Sequence, residues 1–385
     1  MTTPVATDPV YLDYNASAPL DPDVLEAMRP YLLTAFGNSR SSHVYGQRIK
    51  QAIAHARDQV AHMLGCEPAE LIFTSGGSEA NNLALKGLAW AYPDKRHLVV
   101  SSIEHYSVAY AADFLATQDR AVTVVGVDRM GRVDPAQVAS VLRPDTLVVS
   151  VQHANNEIGT VQDVPAIARR AHAAGTLLHC DAAQSIGKLS VRVPDLEVDL
   201  LTLAGHKFGG PQGIGALYRR HGVDLVPLVH GAGHEDGLRS GTHSAALIVG
   251  LGKACELVTE RLEADSRRMR AMHDRLYAKL KAGIPDLVLN GDPAHRLPHT
   301  LNVSFPGIFG GDLLERTPDV AATTGAACHS GVNEPSLTMR AVGAPREVGL
   351  GAVRLSLGRR TTESEIDRAA EALLAAYRTL RPEAR

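Results

Sequence analysis

The sequence predicts an α/β protein built on a mainly parallel sheet of seven strands, with a second, smaller α+β unit, and three observations lead there. Between residues 71 and 218, short runs rich in Val, Leu and Ile (71–74, 97–101, 122–125, 147–151, 176–180, 200–203 and 214–218) alternate with longer stretches of helical period. Near-continuous apolar strands separated by helices indicate a sheet covered on both faces. Residues 246–281 carry apolar positions at helical spacing among many Arg and Glu, which reads as one long amphipathic helix at a domain boundary. The length of 385 residues exceeds the size at which a single core stops growing. The expected division is a large domain over 14–260 and a small one made of 1–13 and 261–385. The small domain would have strands near 287–289, 300–304 and 353–357, helices near 335–341 and 363–380, and a small-residue loop near 323–335.

Composition narrows the function. Hydrophobic residues are 45%, charged residues 21%, and the formal net charge is −3, a globular enzyme-like balance. It offers no basic footprint for nucleic acid and no polybasic stretch for an anionic membrane. The first residues, Met1-Thr2-Thr3-Pro4-Val5, lack a basic flank and apolar segment, and no run is long enough to span a bilayer, so a cytoplasmic protein is expected. Cys66, Cys180, Cys255 and Cys328 are scattered without a paired or zinc-ligand spacing, which predicts free thiols and no metal. No internal repeat is present.

In a sheet of this kind the ligand lies beyond the carboxyl ends of the strands. Ser75 to Ser78, Glu104-His105, Asn155-Asn156, Asp181 and His206-Lys207 all fall at such exits. A lone lysine is most often a solvated surface charge. Lys207, among glycines in Leu203-Ala204-Gly205-His206-Lys207-Phe208-Gly209-Gly210, is paired with Asp181 at another strand end. That pair suits pyridoxal phosphate: the amine can form a Schiff base with its aldehyde, and the carboxylate can keep the pyridine nitrogen protonated. In Thr74-Ser75-Gly76-Gly77-Ser78-Glu79, a Gly-rich turn opens a helix whose N-terminus and Ser78 hydroxyl suit a phosphate.

Other candidates have two readings each. His105 could stack on a cofactor ring and move protons, or be an ordinary loop histidine. Asn156 and Gln184 could hydrogen-bond cofactor or substrate, or serve as turn and helix caps. Cys328, in Gly325-Ala326-Ala327-Cys328-His329-Ser330-Gly331, sits in a small-residue loop beside an imidazole, as a sulfur nucleophile requires. Cys180 and Cys255 lie in apolar or helical runs and read as inert buried thiols. Arg354 interrupts an apolar strand and needs an anion, either a substrate carboxylate or an internal salt bridge.

Taken together, these motifs resemble the cysteine desulfurases of the class V aminotransferase group, which are fold type I pyridoxal phosphate enzymes, and their selenocysteine lyase relatives. The resemblance spans nearly the whole chain. It includes Tyr11-Leu12-Asp13-Tyr14-Asn15-Ala16, Phe36-Gly37-Asn38, Thr74 to Glu79, Glu104-His105, Asn155-Asn156-Glu157-Ile158-Gly159, Asp181-Ala182-Ala183-Gln184, Gly205-His206-Lys207, Arg239-Ser240-Gly241-Thr242 and Arg354 to Arg359.

The resemblance implies that Lys207 holds the cofactor covalently, Asp181 pairs its ring nitrogen, His105 stacks on the ring, and Asn156 and Gln184 contact its polar edge. Gly77, Ser78 and His206 would hold the phosphate. Thr242 would reach the phosphate of a partner subunit, implying a homodimer with shared sites. Arg354 and Asn156 would bind the substrate and Cys328 would form a persulfide. The implied activity turns L-cysteine into L-alanine, with the sulfur passed to an acceptor protein or small thiol, iron-sulfur cluster assembly being one use. A selenocysteine lyase, another class V aminotransferase-like enzyme and a non-catalytic scaffold are the alternatives. Three departures stand out. Ala204 replaces a common Ser, Ser39 replaces a common Pro, and His329 after Cys328 is closer to the lyases. Thr317-Pro318 also interrupts the helix expected before the cysteine loop.

Overall fold

The computed structural model describes residues 8–325 and 334–381. After a two-residue strand, β1 (Val10–Tyr11), come seven strands: β2 (Leu71–Thr74), β3 (His97–Ser101), β4 (Ala121–Val125), β5 (Thr146–Ser150), β6 (Leu177–Asp181), β7 (Leu200–Ala204) and β8 (Gly215–Arg219). They form one sheet in the order β2-β8-β7-β6-β5-β3-β4. Only β8 runs against its neighbours, antiparallel to both β7 and β2. The stretch between Ala204 and Gly215 is too short for the crossover that a parallel return needs.

Strands β3, β5 and β7 are buried along their whole length, which is why they read as continuous apolar runs rather than alternating ones. Successive side chains feed opposite cores. Leu98 and Val100 of β3 join Leu200, Leu217 and the helices Gly77–Ala91 and Tyr106–Ala116 on one face. Val99 joins Leu178, Leu201 and the helices Val44–Leu64 and Val164–Ala173 on the other. β4 is the edge strand, and its Val124 is exposed.

A third core forms on an antiparallel sheet, order β12-β10-β9, made of β9 (Val288–Leu289), β10 (Thr300–Ser304) and β12 (Ala352–Ser356). Leu301, Val303, Val353 and Leu355 pack there against the helix Glu363–Leu380. A further two-residue strand, β11 (Val320–Ala321), pairs in parallel with β1 and brings Val10 and Leu12 into the same core. Strands this short leave no periodic signal, so the sequence gives no hint of β1 or β11. The helix Gly310–Glu315 ends just before Thr317-Pro318. One helix, Ala245–Gly283, serves both regions: Ile248, Leu251 and Cys255 belong to the large sheet's core, Met272, Leu276 and Leu280 to the small one. Among the described residues no helix is long and apolar enough to cross a membrane.

Gly215 marks the tightest point at the carboxyl ends of the large sheet. A Cβ there would lie 2.5 Å from the Leu203 carbonyl oxygen and 2.8 Å from Gly76 backbone atoms. Backbone cannot swing aside as a side chain can, so Gly215→Ala is expected to cost about 1–3 kcal/mol, read as a lowered urea midpoint.

Candidate active site

The strand exits singled out above converge. Gly77 and Ser78 after β2, His105 after β3, Gln152 and Asn156 after β5, Asp181 at the end of β6 and the turn after β7 surround one cavity of about 300 Å³. Its lining includes Gly77, Ser78, His105, Asn156, Asp181, Gln184, His206, Lys207 and Arg354, so nearly every candidate lies in one place.

Lys207 closes a single 3-10 turn that leaves the buried end of β7. Its Nζ donates to the carbonyl oxygens of Asn15 (2.7 Å) and Ala16 (2.9 Å). Burial and the Arg354 charge pull this amine down to about 8, against the opposing pull of Asp181 and Asp13. Behind it Lys188, itself buried, donates to the Lys207 carbonyl at 2.6 Å, and burial plus the charge of Lys207 bring it to about 7. His206 is held neutral: burial, Lys207 and Lys188 lower it to about 4.

Opposite the amine, Asp181 ends β6. Its Oδ1 accepts the Ala183 N–H (3.0 Å) and its Oδ2 accepts Asn81 Nδ2 (2.7 Å). Asn81 sends its other amide hydrogen to Ser107 Oγ (2.8 Å), which lies 2.7 Å from His105 Nδ1. The Ser107 N–H also donates to that nitrogen, so Nδ1 is an acceptor and His105 carries its proton on Nε2. Asp181 and His105 are thus held at fixed positions by one chain of hydrogen bonds. Desolvation and the neighbouring Asp181 raise the Glu104 carboxyl to about 8.

At the cavity's third side the helix Gly77–Ala91 begins. Gly76 takes φ +151° and ψ −178°, a conformation open essentially to glycine. Its turn points the free amides of a fifteen-residue helix toward the cavity, where they favour an anion. Ala204 faces Gly77, whose added Cβ would meet the Ala204 methyl at 3.4 Å, so this wall of the cradle is apolar.

Arg354 makes an internal salt bridge and also borders the cavity. Nη2 donates to Asp13 Oδ1 (2.6 Å) and Nη1 to the Asn156 carbonyl (2.9 Å), while the buried Nε has no partner and the residue borders the cavity. Gln184 donates to the Asn15 carbonyl (2.9 Å), leaving its buried Oε1 unpaired. Asn15, Asn81, Ser107, Asp13 and Lys188 were not assigned roles from sequence. The usable signal was for Asn81, which stands one helical turn after Gly77 on the face the Gly-rich turn presents.

Thr242 is exposed and does not line the cavity of its own chain, and Cys328 lies outside the described residues. The other cysteines are as expected: burial drives Cys66 to about 12 and raises Cys180 and Cys255, so none of them is a thiolate near neutrality.

The donor set fits pyridoxal phosphate. There is an amine of lowered basicity for an aldehyde, a fixed acid for a ring nitrogen, an orphaned Gln184 oxygen for a polar ring edge, and helix amides for a dianion.

The class-V aminotransferase family model matches residues 10–369. Similar curated proteins include "Cysteine desulfurase IscS" of Anaeromyxobacter sp. strain Fw109-5, 44% identical over 97% of this chain and 93% of that one. Human "Cysteine desulfurase" is 41% identical over 97% and 82%. Among solved structures, a "NifS-like protein" superposes with TM-score 0.90 at 34% identity, covering 95% of this chain and 98% of that one. "SspA in complex with cysteine" superposes with TM-score 0.81 at 36% identity, covering 91% and 99%. The chain belongs to the class-V aminotransferase family.

Proposed function

We propose that this protein is a pyridoxal phosphate-dependent L-cysteine desulfurase. The observation that carries the reading is the meeting of the Lys207 amine, the Asp181 carboxylate, an anion-seeking helix N-terminus and the Arg354 guanidinium in one cavity. Relatives named cysteine desulfurase and a similar structure titled as a complex with cysteine support it.

The cofactor, when bound, supplies an aldehyde for the substrate amine and an electron-withdrawing ring that makes the α-proton removable. The chain supplies the rest. Gly77, Ser78 and His206 would hold the phosphate, Asp181 would pair with the ring nitrogen, and His105, oriented through Ser107, would lie against the ring. Arg354 takes the α-carboxylate beside Asn156, and its contacts to Asp13 and Asn156 hold the guanidinium in place. Lys207, which burial makes a weaker base than an exposed lysine, removes the α-proton. Cys328 then takes the sulfur: the substrate Cβ–S bond breaks, an S–S bond forms, and cysteine plus thiol become alanine plus persulfide with no external oxidant or reductant.

The sulfur passes to an acceptor protein or small thiol, in a cytoplasmic setting, with iron-sulfur cluster assembly as one destination. A homodimer completes the site through Thr242 of the partner subunit. In support, Leu32, Leu33, Phe36, Val44 and Tyr45 form a run of exposed apolar side chains, with Phe36 69% and Val44 74% exposed. Phe36 and Tyr45 stack at 5.2 Å. A patch of this kind marks an interaction surface.

Three outcomes are expected. With cysteine as substrate, Lys207→Ala lowers alanine formation about 10³-fold or more. Cys328→Ala still shifts the cofactor's visible spectrum on adding cysteine but makes little alanine and no persulfide detectable by mass spectrometry; full turnover in that variant would remove the thiol step. In cofactor-free protein, competitive labelling followed by mass spectrometry should give half-maximal reactivity of Lys207 near pH 8. Exposed lysines react only near 10.4, because burial makes Lys207 lose its proton at lower pH.

A further inference from the structure

Glu157 follows Asn156 at the cavity wall but plays no part in the chemistry above. It is 5% exposed, and burial raises its carboxyl while the Arg354 charge opposes the rise. A buried acid is a costly choice where an apolar side chain would pack, so its partners matter. The Ser336 hydroxyl donates to Glu157 Oε1. On the other side Gly325, at φ +68°, lies so close that a Cβ would come within 2.7 Å of Glu157 Cδ.

Gly325 and Ser336 flank the segment that contains Cys328, and only three peptide links separate Gly325 from that cysteine. A single carboxyl group therefore touches the chain on both sides of the proposed sulfur acceptor. The backbone of the same residue is tied to the substrate side. Asn302 Nδ2 donates to the Glu157 carbonyl (3.1 Å), and the Glu157 N–H donates to Asn155 Oδ1 (2.9 Å). The preceding carbonyl, that of Asn156, receives Arg354. Arg354 in turn donates its backbone N–H to the Thr323 carbonyl at 2.7 Å, two residues before Gly325.

We propose that Glu157 is a positioning residue for sulfur transfer, its carboxyl fixing both stems of the Cys328 segment to the peptide that anchors the substrate-binding arginine. The inference rests on the cysteine desulfurase reading. It assigns Glu157 no contact with substrate, so its removal acts on the step that needs the thiol and spares cofactor and substrate binding.

The test compares holoenzyme of wild type, Glu157→Gln, Glu157→Ala and Ser336→Ala. It measures cofactor content, the spectral change on adding cysteine, kcat and KM for alanine, and single-turnover persulfide on Cys328 by mass spectrometry. Glu157→Ala is expected to keep cofactor and hold KM within about twofold, while kcat and persulfide formation fall about ten- to a hundredfold. Glu157→Gln, which still offers Ser336 a carbonyl oxygen, stays within about threefold of wild type, and Ser336→Ala shows the Glu157→Ala pattern in weaker form. Persulfide formed at the wild-type rate in Glu157→Ala overturns the proposal, as does a parallel loss of cofactor, cysteine binding and turnover. Should Glu157→Ala not fold, Ser336→Ala decides: kcat lowered at constant KM supports the assignment, and unchanged kcat overturns it. Wild type in the same assay separates the two ideas, since absence of alanine or persulfide there sinks the desulfurase reading itself.

Discussion

The site depends on one desolvated amine. Lys207 is half-buried at a strand exit, its amine is hydrogen-bonded to two backbone carbonyls, and it feels the repulsion of Arg354. In water an ammonium of this kind would keep its proton and react slowly with an aldehyde. Here burial weakens the charged form, and Asp181 and Asp13 limit how far the shift goes. The same desolvation lowers His206 and Lys188, so burial weakens the charged form of each basic side chain gathered here.

Fixed geometry follows from the sheet. Parallel strands deliver their carboxyl ends to one edge, and each end contributes a single chemical group: Asp181 from β6, Lys207 after β7, the anion cradle after β2, His105 after β3. What turns proximity into orientation is a second layer that carries no chemistry of its own. Asn81 and Ser107 join the acid to the imidazole, and Asn15 supplies carbonyl and amide contacts to Lys207, Gln184 and the Asn156 peptide.

The sheet strands and the principal chemical residues were legible in sequence because both leave strong local marks. Strands buried on both faces read as apolar runs, and a lysine among glycines or an acid after Leu177-Leu178-His179-Cys180 stands out against its neighbours. The two-residue strands β1 and β11 were not legible, since two residues have no period. Nor were Asn81 and Ser107: an asparagine and a serine within or at the start of a helix are common, and only the three-dimensional meeting of helices Gly77–Ala91 and Tyr106–Ala116 gives them a purpose. The reversal of β8 could have been inferred from the short stretch that precedes it. Arg354 is ambiguous in sequence for a physical reason: a guanidinium in an apolar strand needs an anion, and it both pairs with Asp13 and borders the cavity.

The helix Ala245–Gly283 has a thermodynamic consequence. Its two halves are built into different cores, and a continuous helix gains stability by propagation from turn to turn. Loss of either core strips the apolar cover from one half of the rod and frays the other. The two lobes are therefore coupled in melting, and heat should dismantle them in a single cooperative transition.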